Sequence, residues 1–338
     1  MSLKGIHELT GFSYSTISRV LNAKAERFRI SQATCDQILT AAKQTAHRPN
    51  IVARSLRLGR SMTIGLLVSD IQNPFFGTLA SKIERLLRPH QYSTILCNTN
   101  ELLENEESYL RVLVDRQVDG VIIAPVHTKA WKHLQKIRDQ TSVVLVDRLF
   151  YDADAGLPGV TSDNVRAAQD LTEELIKLGF RRIAFLGGVR NSYISIERFK
   201  GFQAAMNHHS LPIDPDLLFF EDYSIDAGYN MMERLIGSNG HFDAVLCVNN
   251  QVFIGALKSI DRVEKANKRY IMTAAFDLGG YCHVLQRPLI SAEQDLDKLA
   301  ALSVKLLFAQ IDHRRSNTYQ YVIPARINKC GLERRIPA

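Results

Sequence analysis

Apolar positions along the chain follow two rhythms, and the change falls near residue 61. Before it, apolar side chains recur at three- and four-residue steps. Ile6 and Leu9 share a face with Thr10, Ile17 aligns with Val20 and Leu21, and Cys35, Ile38, Leu39 and Ala42 form a third set. Gly11 is a stop signal, Ser13 is placed to cap a second helix over 13–22, and Ser31 to begin a third. Two short helices joined by a glycine turn, with a third completing a small core, predict a helix-turn-helix. Residues 50–58 read as a further short helix: Asn50 caps it, Val52 and Leu56 share a face, and Gly59 ends it. Helices under ~12–15 residues are marginal alone in water, so this one is expected to order against a partner.

From Met62 the rhythm becomes short β-branched runs alternating with helical stretches. Strands are predicted at 63–69, 94–97, 120–125, 143–147, 182–186, 244–248 and 271–276, and helices at 76–87, 105–116, 165–178 and 196–208. Continuous apolar strands separated by helices predict parallel sheets covered on both faces. The expected class is therefore α/β, with two doubly wound parallel sheets and a cleft between them. Three segments follow: a helix-turn-helix domain at 1–47, a hinge helix or linker at 48–61, and a two-lobed domain at 62–338. Lobe 1 is placed at about 62–161 and 292–324, lobe 2 at about 162–291 and 325–338, with the strand and helix near 289–325 crossing back to the first half.

Charge separates the same two regions. Residues 1–61 hold ten Lys and Arg against three acids, the whole of the chain's +7, which leaves 32 basic and 32 acidic residues in the remainder. A basic module on a neutral body predicts double-stranded DNA as a partner. The second helix presents Tyr14, Ser15, Ser18 and Arg19 near its N-terminus, the end that meets base edges in a major groove. Leu56, flanked by Arg54 and Arg57, is suited to wedge into a minor groove when paired with its twin.

Other classes fit less well. No apolar run approaches the ~18 residues of a membrane helix, and Met1 to Gly5 opens no signal-peptide core, so a cytoplasmic protein with no membrane partner is expected. Five scattered cysteines without a CxxC pair argue against a disulfide framework or zinc knuckle and for a reduced compartment. GxxxxGK[ST], GxSxG and HExxH are absent, and Gly187-Gly188 does not extend to GxGxxG. His208-His209 has no ligand-spaced partner in sequence and reads as a solvated or capping pair. Hence no catalytic residue, metal or cofactor is expected.

The run Ser13-Tyr14-Ser15-Thr16-Ile17-Ser18-Arg19-Val20-Leu21-Asn22 resembles the LacI/GalR family of transcriptional regulators, as do Arg48-Pro49-Asn50, Ala53, Leu56 and Thr63-Ile64-Gly65. The likeness continues through Asn73-Pro74-Phe75-Phe76, Val118-Asp119-Gly120, Val146-Asp147-Arg148, Asp163-Asn164, Arg198 with Gly201-Phe202, and Phe276-Asp277. The connection 22–31 and the run 115–120 resemble the branch holding the fructose (catabolite) and sucrose-operon repressors. The resemblance implies a lambda-repressor-like DNA-binding domain, a hinge helix and a periplasmic-binding-protein-like effector domain. It also implies a homodimer on a palindromic operator, with a tetramer as the alternative, although no leucine heptad follows Arg326. The DNA-binding candidates are Ser13, Tyr14, Ser15, Thr16, Ser18, Arg19, Asn22, Arg29, Asn50, Ala53, Arg54, Leu56 and Arg57.

In open α/β sheets ligands bind beyond the carboxyl ends of strands. That rule selects Asp70, Asn73, Phe75, Phe76, Asp147, Arg148, the pair Asp163-Asn164, the pair Asn249-Asn250, and Asp277. Carboxylates and amides pair with vicinal hydroxyls while an aromatic covers a sugar ring, so a small sugar or sugar phosphate is the expected effector. The family match adds Arg198 and Tyr223, and Gln294 lies near the crossover. The chain has Asn249-Asn250 where the family commonly has Asn-Asp, Gly5 where an acid is frequent, and Thr10 where Ala is usual. Effector binding is expected to change lobe closure and so the spacing of the hinges. The branch suggests fructose or a fructose phosphate. The alternatives are a regulator answering a purine or nucleoside, a sugar-modifying α/β enzyme, and a solute-binding protein of a transporter.

Overall fold

The computed structural model describes residues 3–21, 25–45, 59–127, 131–152, 156–238, 241–267, 270–285, 287–312 and 319–332. It divides into two compact units, Met1–Ser61 and Met62–Ala338. The 50–58 helix, with Asn50, Ala53, Arg54, Leu56 and Arg57, lies outside the described residues, and so does Asn22.

In the first unit, α1 (Leu3–Thr10), α2 (Tyr14–Leu21) and α3 (Gln32–Gln44) surround buried Ile6, Ile17, Val20, Cys35, Ile38 and Ala41. Gly11 makes the turn in the left-handed region, at φ +72°, where only glycine carries no Cβ penalty. Ser13 and Ser31 cap α2 and α3, their hydroxyls accepting from the backbone N–H of Thr16 and Thr34 at 3.2 Å. Leu9 and Leu39, expected in the core, are instead 59% and 44% exposed. Leu39 lies one residue past Ile38, about 100° around the helix, and so leaves the buried stripe.

The second unit runs β1 (Thr63–Val68), α4 (Pro74–Leu87), β2 (Ser93–Asn98), α5 (Leu103–Asp115), β3 (Gly120–Ile123), α6 (Lys132–Ile137), β4 (Ser142–Val146) and β5 (Gly159–Ser162). It continues through α7 (Asn164–Lys177), β6 (Ile183–Gly187), α8 (Tyr193–His208), β7 (Leu218–Phe220), α9 (Ile225–Gly237), β8 (Ala244–Cys247) and α10 (Asn250–Asn267). Last come β9 (Met272–Phe276), α11 (Tyr281–Val284), β10 (Leu289–Glu293), α12 (Leu296–Ile311), β11 (Gln320–Ile323) and β12 (Arg326–Cys330). The strands build two six-stranded sheets, ordered β11-β5-β4-β3-β1-β2 and β12-β10-β9-β8-β6-β7. No described helix is long and apolar enough to cross a membrane.

Two expectations need correction. The strand 289–293 stays in the second sheet, parallel to β9, and the chain crosses only afterwards, through α12. Residues Leu299, Val304 and Leu307 of that helix enter the core of the first sheet. Nor are the sheets wholly parallel: β12 runs antiparallel to β10. Only Pro324 and Ala325 separate β11 from β12, too short a link for the helical crossover that a parallel return requires.

Close packing in the second lobe depends on glycine. A Cβ at Gly201 would sit 2.1 Å from the Val165 carbonyl oxygen, so this glycine lets α7 and α8 touch. Cys35, Cys97 and Cys247 are free thiols, but Cys330 is disulfide-bonded, contrary to the expectation of no bridge. A bridge closed by tertiary folding carries no paired spacing for sequence reading to find.

Candidate functional site

The carboxyl ends of both sheets open onto one cleft of about 270 Å³, near the lower end of the ~300–1,000 Å³ common for ligand pockets. It brings together all eleven predicted effector residues: Asp70, Asn73, Phe75, Phe76, Asp147, Arg148, Arg198, Tyr223, Asn250, Asp277 and Gln294. Asn249 lines it too, whereas Asp163 caps α7 through the Arg166 N–H, and Asn164 stands behind Arg198. The strand-end reading missed Ser69, Asn100, Glu101, Ile194, Asp222 and Ser224. Asn100 and Glu101 follow β2, so the same rule applied to that strand would have found them.

The lobes meet across this cleft. Asn73 caps α4 by accepting from the Phe75 N–H at 3.0 Å and also accepts from the Asn250 side chain at 3.0 Å. One amide thus both caps a helix and lines the cleft. Phe75 and Phe76 pack edge to face with centroids 5.0 Å apart, giving the cleft an apolar wall.

Two buried arginines face each other from opposite lobes. Arg198 donates from Nε to Asn164 at 2.8 Å and from Nη1 to the Val248 carbonyl at 2.5 Å, and its guanidinium lies 3.5 Å from the Phe276 ring centroid. Burial depresses its pKa, with Asp277 and Asp147 working in the opposite direction. Arg148 is held end-on by Glu101, Nη1 to Oε2 at 2.7 Å and Nη2 to Oε1 at 2.5 Å. Burial disfavours its charge, yet the Glu101 ion pair outweighs that and raises its pKa.

The carboxylates supply acceptors. Asp147 makes no hydrogen bond from its carboxylate among the described residues and sits 3.6 Å from Arg148 Nε; burial raises its pKa against the pull of Arg148 and Arg198. Asp277 accepts from Gln294, at 3.2 Å from the backbone N–H and 2.7 Å from Nε2. Burial pushes its carboxyl up to about 6, opposed by Arg198 and Gln294. Both aspartates occupy the left-handed backbone region, φ 66° and 58°. Tyr223 fills space that a Cβ on Gly188 would block at 2.1 Å, and its hydroxyl contacts those of Ser192 and Ser195. Buried carboxylates with unfilled acceptor capacity, guanidiniums and an aromatic wall together suit a small polyhydroxylated ligand.

In the first unit the residues predicted to read DNA are displayed rather than buried. Tyr14 is 48% exposed, with its ring 4.8 Å from that of His7. Ser15 and Arg19 are exposed, and Thr16 and Ser18 are half-buried. The hydroxyls of Ser15 and Thr16 lie 2.9 Å from Ser13 Oγ, so this trio is partly spent on the cap. The Arg19 guanidinium lies 4.1 Å from the centroid of exposed Phe28, a partner that sequence reading missed. Arg29 adopts φ 53° with an exposed side chain.

His208 and His209 are exposed, as expected. Glu173 of α7 lies beside them, the three ligand atoms within 4.8 Å of one another. A neighbouring helix supplies it, which spacing in the sequence cannot reveal. His209 is still the C-cap of α8, as expected.

Residues 61–329 match the family described as periplasmic binding proteins and sugar binding domain of LacI family. The HTH-type transcriptional regulator RegA of Clostridium saccharobutylicum is 30% identical over 95% of this chain and 96% of its own. A LacI family transcriptional regulator from Enterococcus faecium with bound ribose superposes with a TM-score of 0.67 at 26% identity, covering 80% of this chain and 98% of its own. The lac repressor dimer bound to operator and the anti-inducer ONPF shares the fold across 98% of each chain, with a TM-score of 0.85 at 19% identity. The chain belongs to the LacI family of transcriptional regulators.

Proposed function

We propose that the chain is a homodimeric repressor of a carbohydrate-utilisation operon, with operator affinity set by a small sugar in the cleft between its lobes. The observation that carries this reading is the convergence of Asp147, Arg148, Arg198 and Asp277 with the Phe75–Phe76 wall on one cavity. Vicinal hydroxyls donate to the aspartates and accept from the guanidiniums, while Phe75 and Phe76 cover the ring face. The ribose-bound relative supports a ligand of that size and kind. This reading assigns the cleft no reaction of its own and the protein to the cytoplasm.

On the DNA side, Tyr14, Ser15 and Arg19 read major-groove edges, with Arg19 able to take a guanine bidentately. Ser13, Thr16, Ser18, Asn22 and Arg29 complete that contact. The 50–58 hinge, with Leu56 as wedge and Asn50, Ala53, Arg54 and Arg57 around it, orders at the operator centre. An apolar edge on the first lobe supports dimerisation: Leu96 on edge strand β2, Leu86 on α4, and Leu102 and Val112 at α5 are all exposed. Closure of the cleft on the sugar then shifts the hinge spacing and lowers DNA affinity.

The test is a thermal-shift screen of the full chain against pentoses, hexoses, their phosphates and nucleosides. It is followed by titration of hits into a complex with DNA selected from a random library. A ligand at 100 times its Kd adds about 2.7 kcal/mol. The reading expects a sugar both to raise the Tm and to change DNA affinity. Stabilisation by a nucleoside alone would replace the sugar with that class.

A further inference from the structure

Glu101 reaches the cleft on an unusual turn. After β2, Asn100 and Glu101 adopt φ 52° and 58°, the left-handed region that residues with a Cβ rarely occupy. Neighbours hold the turn in place. Asn98 Nδ2 donates to Asn100 Oδ1 at 2.7 Å, the Leu102 N–H to the Thr99 carbonyl at 3.1 Å, and Asn105 Nδ2 to the same carbonyl at 3.0 Å. Its product is the end-on, two-point grip of Glu101 on the buried Arg148 guanidinium. A parallel pair of this kind is the strongest geometry available between the two groups, and it is also how arginine takes a phosphate.

Charge across the rest of the cavity points the same way. Five carboxylates line it, on Asp70, Glu101, Asp147, Asp222 and Asp277, against the two guanidiniums of Arg148 and Arg198. Arg198 is already committed to Asn164 and the Val248 carbonyl. A phosphoryl group entering here would find the paired edge of Arg148 already taken by Glu101 and an excess of carboxylates around it, Asp147 among them buried. A sugar hydroxyl meets no such barrier.

We infer that Glu101 is a specificity-determining residue that reserves the cleft for uncharged sugars and excludes their phosphates by occupying Arg148. This rests on the sugar reading above, and the experiment separates the two. Calorimetric titration of the full chain is carried out with matched pairs of aldo- and ketopentoses and hexoses and their monophosphates. D-ribose with ribose 5-phosphate and D-fructose with fructose 1-phosphate lead the set, with inorganic phosphate as a further probe. In the wild type the free member of the binding pair is expected to bind at least 100-fold more tightly than its phosphate. Glu101→Gln is expected to narrow that ratio at least tenfold, while Glu101→Asp, which keeps the charge, retains most of it. A wild type that prefers a phosphorylated sugar overturns the inference and leaves the sugar reading standing, and that measurement needs no variant to fold. An unchanged ratio in Glu101→Gln overturns it as well. If no member of any pair binds, the sugar reading fails and the inference with it.

Discussion

On α2, Tyr14, Ser15 and Arg19 project from a unit whose buried core, among the described residues, is six side chains, and none of them belongs to that core. In the cleft, Asp147, Arg148 and Arg198 are each about 3% exposed, and the two arginines are tied to Glu101, Asn164 and the backbone. The difference follows from what each surface must recognise. Base edges and phosphates arrive as a large polar face, so their readers stand in water and are added to a finished fold. A small sugar must be surrounded, so its readers are desolvated and need hydrogen-bond partners from the protein around them. Function and stability should therefore separate cleanly in the first unit and not in the second.

Arg198→Ala is the most severe test of that contrast. It removes the bonds to Asn164 and Val248 and the contact with Phe276 together. Sugar affinity should fall more than 100-fold, and denaturant melts should show a loss of about 2–4 kcal/mol, since buried partners are left unsatisfied. Full stability with lost sugar binding would mean that Arg198 serves the ligand alone. Lost stability with normal sugar release of DNA would make it scaffold.

Arg19→Ala is the counterpart on the exposed side. A bidentate guanine contact carries about 1–3 kcal/mol of discrimination, so operator affinity should fall roughly 10- to 100-fold. Stability should stay within about 0.5 kcal/mol, as for surface changes generally. Fluorescence anisotropy on the selected DNA, paired with a thermal melt, reads both. A substantial drop in Tm would show that the first unit also entangles its readers with its fold.

How much of this was legible in the sequence follows the same division. Periodicity found α2 and its Ser13 cap because a short helix writes its buried stripe at fixed steps. The strand-end rule found Asp147 and Asp277 because each sits directly after an apolar run. What escaped depended on tertiary contact. The Glu101 grip on Arg148 joins residues 47 apart, and Glu173 meets His208 from another helix. Of the strands missed, β7 has three residues, and β5, β11 and β12 carry polar positions such as Thr161, Gln320 and Lys329 that interrupt the apolar run. β12 also lies antiparallel, a direction set by the link before it rather than by its own residues.

The cleft should also answer to pH. Burial lifts the Asp277 carboxyl to about 6, so its proton is released later in the folded chain than in the unfolded one. Between about pH 4 and 6 the folded state therefore holds the extra proton, and this group's contribution to stability declines as pH rises through that window. Sugar hydroxyls donate to the ionised form, so binding runs the other way and weakens as pH falls. With a pKa near 6, ionised Asp277 drops about tenfold between pH 7 and pH 5, and sugar affinity should drop with it. Calorimetry at the two pH values measures this. A flat profile would mean that Asp277 serves Gln294 and Arg198 instead of the ligand.

The smallest expected effect probes whether the exposed face is as loosely organised as it looks. Arg19 rests over Phe28, which is 43% exposed, with Arg27 at 5.9 Å from the same ring. An exposed cation–π contact contributes about 0.5–1 kcal/mol. If the ring holds the guanidinium in its reading position, Phe28→Leu should weaken operator binding about two- to fivefold. Phe28→Tyr should preserve it, because the ring face remains. The decisive form is a double-mutant cycle: in an Arg19→Ala background, Phe28→Leu should cost nothing further. An equal loss in both backgrounds would place Phe28 itself against DNA, independent of Arg19. No loss in either would leave Arg19 unsupported, and the first unit would then be as free of preorganised contacts as its exposure alone suggests.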